Sequence, residues 1–134
     1  MKLLLHAEAR LVVATALAIC TMASCGYGNQ NPPRSVTGIQ VLPGNPTAYS
    51  SQASPMNQAI FTADVAYNDG SLTPISGGVR WTYDFASWVA LVGNTATCTQ
   101  PAPTILGIPM TSQITATATV NGASYTAYTL LTCL

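Results

Sequence analysis

The sequence predicts an all-β domain, a sandwich of six or seven short antiparallel strands, and three observations carry that expectation. Apolar residues alternate with period two over short stretches, the pattern of strands with one buried face. Clusters of Gly, Pro, Asn and Asp separate these stretches at the close intervals found in sandwiches. All nine prolines lie beyond residue 31, where no stretch holds a helical period over more than two turns.

In chain order, the first segment stands apart from the domain. Lys2 and Arg10 bracket the start of an apolar run, LVVATALAICTMA, from Leu11 to Ala23. That run is shorter than the roughly 20 apolar residues that cross a bilayer. A cleaved signal peptide over residues 1–24 is therefore expected, with an uncleaved membrane anchor as the alternative. Glu8 departs from the usual charge pattern of such segments. Met22-Ala23-Ser24-Cys25 resembles the lipobox of bacterial lipoproteins, with Met22 where Leu is usual. The resemblance implies that Cys25 becomes the first mature residue and carries acyl chains such as palmitate. Ordinary cleavage after Ala23 is the alternative, and it leaves Cys25 a plain thiol on a secreted protein. Residues 25–34 then form the lipidated Cys and a flexible tether, since GYGNQNPPR holds almost no apolar content.

The domain is expected over residues 35–134. Val36 to Leu42 is β-rich and stops at Pro43-Gly44-Asn45-Pro46. Ala59 to Tyr67 sets Phe61, Ala63, Val65 and Tyr67 on the inner face and Asp64 on the outer one. It ends at Asn68-Asp69-Gly70-Ser71, a strong turn sequence. Val79 to Tyr83 turns Val79, Trp81 and Tyr83 inward, with Arg80 and Thr82 outward. Trp88 to Val92 is continuously apolar, as in a strand buried on both faces. Gln113 to Val120 alternates Ile114, Ala116, Ala118 and Val120 with threonines. Asn121-Gly122 then turns the chain into Ser124 to Cys133. Burying Phe61, Val65, Trp81, Ile114 and Val120 contributes roughly 1.5–3 kcal/mol each, a core small enough to need a covalent staple.

The order Ile39-x-Val41-x-Pro43, Phe61-Thr62-Ala63-x-Val65-x-Tyr67-x-Asp69-Gly70-Ser71, Val79-x-Trp81, Val89-Ala90-x-Val92 and Ile114-Thr115-Ala116-Thr117 resembles the bacterial Ig-like group 2 (BIG2) domain. The likeness covers residues 35–134. It implies an Ig-like β-sandwich of about seven short antiparallel strands, serving as a spacer, adhesin or accessory module without catalysis. Two features depart from the family pattern. A loop from Thr99 to Thr111 with three prolines replaces a short turn, and a Cys98–Cys133 pair is not a general family feature.

Side-chain chemistry narrows the function. Beyond residue 24 the charged residues are Arg34, Arg80, Asp64, Asp69 and Asp84, with no His, Lys or Glu. So few cations rule out the basic face that nucleic acid requires. A Ser-His-Asp triad lacks its base, and paired-carboxylate chemistry has only a turn residue (Asp69), an outward strand residue (Asp64) and a strand-end residue (Asp84) to draw on. No enzyme activity, metal or cofactor is expected.

Discarding Cys20 with the signal and Cys25 with the lipid leaves Cys98 and Cys133. In an oxidising compartment they are expected to bridge, the alternative being two buried thiols. A bridge would close a loop of about 36 residues and stabilise by roughly 3–4 kcal/mol. Trp88, Tyr83 and Phe85 are the candidate ligand contacts, because three aromatics so close in sequence cannot all face inward. Trp88 packed beneath the Thr99–Thr111 loop is the alternative. Expected partners are the membrane, through the lipid, and an envelope protein or a surface glycan.

Overall fold

Twelve strands and no helix form among residues 32–134, the residues described by this computed structural model. They are β1 (Val36–Leu42), β2 (Thr47–Ala48), β3 (Gln58–Ile60), β4 (Thr62–Tyr67), β5 (Leu72–Pro74) and β6 (Arg80–Tyr83). The second half adds β7 (Val89–Val92), β8 (Thr95–Cys98), β9 (Thr104–Ile105), β10 (Ile108–Pro109), β11 (Thr111–Val120) and β12 (Ala123–Cys133). Residues 1–31, with the expected signal peptide, Cys25 and most of the tether, lie outside the described residues.

One layer is the four-stranded sheet β2-β12-β11-β6. The other joins β1-β4-β5 to β3-β8-β7, because β3 and β4 are one run of chain interrupted only at Phe61. The core between them is built by Val41, Phe61, Ala63, Val89 and Ala96 from one layer and Ile114, Ala116 and Leu131 from the other. This is an all-β, sandwich-like fold. Among the described residues it holds more strands than the expected seven, five of them of only two or three residues, and one pair is parallel, β2 on the end of β12.

The departures from expectation have local causes. The stretch from Ala59 to Tyr67 is two strands, because Asn94 in the β7–β8 turn takes over the backbone of Phe61. The Phe61 N–H donates to the Asn94 carbonyl at 2.9 Å, and Asn94 Nδ2 donates to the Phe61 carbonyl at 2.7 Å. Released from the ladder, the Phe61 side chain fills the space between the layers and is fully buried.

The run from Val89 to Val92 is not buried on both faces. As β7 it is the edge of its sheet, so Val89 is buried while Val92 is exposed. Asp64 lies off the core face but is 8% exposed, because β4 is flanked there by Gln40 of β1 and Pro74 of β5. One of its carboxylate oxygens finds no hydrogen-bond partner among the described residues. Val120, Trp81 and Val79 are half-buried instead of central, and Tyr83 is exposed, because β6 is a sheet edge and Val120 ends its strand.

Candidate functional site

The registers set two opposite poles. β1 starts at Val36, paired with Tyr67, and runs upward to Leu42. β12 runs the same way, from the Asn121-Gly122 turn to Cys133, where it pairs with Thr47 and Ala48. At about 3.3 Å per residue, the eleven residues of β12 separate the poles by roughly 35 Å.

The proximal pole, where the described chain enters the domain, is polar and cross-linked by hydrogen bonds. The guanidinium of Arg34 lies 3.6 Å from the centroid of the Tyr67 ring. Arg34 Nη2 donates to Ser71 Oγ at 2.7 Å, and Arg34 Nε sits 3.5 Å from the Asp69 carboxylate. Asp69 accepts from the Ser71 N–H and hydroxyl, closing an Asx-type turn around Gly70. Gly70 takes φ +79°, which a residue with a side chain adopts only under strain. The Ser71 hydrogen bonds, aided by Arg34, hold the Asp69 carboxyl below the usual carboxylate range.

The distal pole is uncharged, covalently stapled and apolar at its tip. Cys98 and Cys133 are bridged, with their Cα atoms 5.6 Å apart. Beside the bridge the Ala102 N–H donates to the Cys133 carbonyl at 3.0 Å, seating the base of the long loop in the core. Above that base the loop folds into a small hairpin of β9 and β10 turning at Leu106-Gly107. Both turn residues have positive φ, 54° and 80°, as in a type I′ turn.

Leucine is an unfavourable choice at such a position, where Asn or Gly is usual. Leu106 is 97% exposed, and Ile105 and Ile108 on either side are also exposed. Tyr49, Met56 and Phe85 add further exposed apolar surface at this end. No charged side chain occurs between residues 85 and 134. The nearest, Asp84, is turned onto β11, accepting from Ser112 Oγ at 2.8 Å and the Gln113 N–H at 2.7 Å.

Of the three aromatic candidates, Trp88 is in the core at 3% exposure, walled by the loop base and the bridge. It is not a surface contact. Phe85 stacks on it at 5.5 Å between ring centroids and is itself exposed, with φ 56°. Tyr83 is exposed at the end of β6. The structure thus brings Phe85 and Trp88 together, Phe85 covering the buried indole, with Tyr83 outside that stack.

Two features escaped the sequence. One is the apolar hairpin tip, whose only local trace is Leu-Gly between two isoleucines. The other is a cleft of about 350 Å³ between the β5–β6 loop and the β7–β8 turn, with Trp81 in its wall. No family model matches this chain, and no curated protein matches it.

Proposed function

We propose that this protein is a non-catalytic module of the bacterial cell envelope, of the BIG2 Ig-like kind, held to a membrane by lipid on Cys25. It acts in spacing or assembly, offering its distal pole to an envelope protein with an uncharged, aliphatic surface.

The observation that supports this reading most is the opposition of the two poles. The chain enters the domain through the Arg34–Tyr67–Asp69 cluster, and the most exposed apolar side chain, Leu106, stands at the other end between exposed Ile105 and Ile108. A tether joined to Arg34 attaches to the domain at the pole opposite the Leu106 tip. Aliphatic side chains on an uncharged surface gain by burial against a neutral apolar patch and offer nothing to a charged one. A glycan-binding role for Trp88, Tyr83 and Phe85 loses its main platform, since Trp88 is covered.

The intact mass of the protein extracted from membranes, with and without reductant, tests the anchor. The expected species starts at Cys25 with added acyl chains and gains about 2 Da on reduction. An unmodified chain starting at Ser24 would remove the anchored reading and make this a secreted domain.

A further inference from the structure

We infer that the cleft beside Trp81 is a binding site for a neutral sugar ring, separate from the distal pole and independent of how the protein is anchored. Phe61, Ile75, Val79 and Trp81 give the cleft its apolar wall, and Ser76 and Asn94 stand among its polar lining groups. Its volume, about 350 Å³, is at the small end for ligand sites and suits a single ring better than an extended chain.

Three properties select the ligand. Trp81 lies on the edge strand β6 and is only half-buried. Phe61 holds its ring from behind, 6.1 Å away and tilted by 37°. A half-buried indole braced by a buried ring and lining a cleft is a platform for the C–H face of a pyranose. Its N–H donates to no group among the described residues.

Second, the backbone groups of Ser76, Gly77 and Gly78 enter no hydrogen bond among the described residues. They border the cleft as free donors and acceptors for hydroxyl groups. Gly78 takes φ +73°, which itself calls for glycine, whereas a Cβ built on Gly77 would meet nothing within 4 Å, so close packing inside the protein does not require glycine at 77. Bare backbone at a cleft rim lets a ligand approach closely.

Third, no charged side chain lines the cleft among the described residues. Phosphate, carboxylate and ammonium ligands would be stripped of water without a counter-charge, whereas hydroxyl groups need only hydrogen bonds.

Tryptophan fluorescence tests the assignment on the full-length chain, because the protein has two tryptophans and Trp88 is shielded in the core. The probes are maltose, cellobiose, lactose and N,N′-diacetylchitobiose, with glucosamine and galacturonic acid as charged controls. The site predicts a saturable emission change and protection from acrylamide quenching with at least one neutral disaccharide.

Trp81→Phe should abolish the optical signal and weaken binding, read by calorimetry, about tenfold. Gly77→Val, whose Cβ meets no neighbour within 4 Å, should weaken binding, with the melting temperature read alongside to show that the fold is kept. No response to any neutral probe at the solubility limit would overturn the proposal. So would a response confined to the charged sugars, or one that survives unchanged in both variants.

Discussion

The two ends of this sandwich are held together by different physics, and they are free to do different things. At the proximal pole a cation, a ring, a carboxylate and a hydroxyl satisfy one another, leaving little unmet chemistry for a partner. At the distal pole a covalent bridge supplies the order, so the surface above it need not be self-satisfying. It carries Leu106 in a strained turn, with isoleucines on both sides exposed to water. The contrast teaches that the stapled end can present surface that the domain's own stability would not favour.

The largest effect should come from the residue that joins the halves. Phe61→Ala removes the ring that bridges both layers and should cost about 3–5 kcal/mol, unfolding both poles together in denaturant melts. Two separate transitions would show that the poles are less coupled than their shared core suggests.

Replacing both Cys98 and Cys133 by Ser should cost about 3–4 kcal/mol. It should also release the loop base, so limited proteolysis is expected to cut within residues 99–110 well before the proximal turn. Equal cutting at both ends would remove the distinction drawn between them.

A smaller change sharpens the contrast between stability and function. Leu106→Asn suits the left-handed turn and should stabilise by up to about 1 kcal/mol, read as a higher melting temperature. The same variant should lose co-purification with the envelope partner. A gain in stability with association intact would separate the tip from docking.

The smallest effect belongs to the proximal pole and to acid. Asp69 is held ionised in the folded state, so its contribution is complete at neutral pH and fades as pH falls through the carboxylate range. Asp69→Asn should flatten that part of the stability profile, with a small loss of melting temperature at neutral pH that closes as the pH falls. A variant whose acid limb matches the parent would show that the cluster contributes no pH dependence.

Much of the fold was legible because its signals are local. The turn at Asp69-Gly70-Ser71 and the hairpin at Asn121-Gly122 depend on residues adjacent in sequence, and both form as expected. The bridge followed from counting thiols. What could not be read depends on distant cover. Trp88 takes the alternative expected of it, packed under the loop base and Phe85, while Trp81 packs against the core as expected but is left half open by β6 at a sheet edge. Alternation through Phe61 is the same whether the strand keeps its partner or changes sheets, so the break set by Asn94 left no trace in the pattern. The hairpin tip was hidden for the opposite reason, since leucine is a residue that turn chemistry argues against.

Hydrogen exchange on the protein in its own membranes, compared with the purified chain, tests most directly whether one pole is held and the other docks. Protection gained at Thr104 to Pro109, with no change at Asn68 to Ser71, is the predicted result. Equal exchange at the hairpin in both preparations, or protection gained at the proximal turn instead, would contradict it.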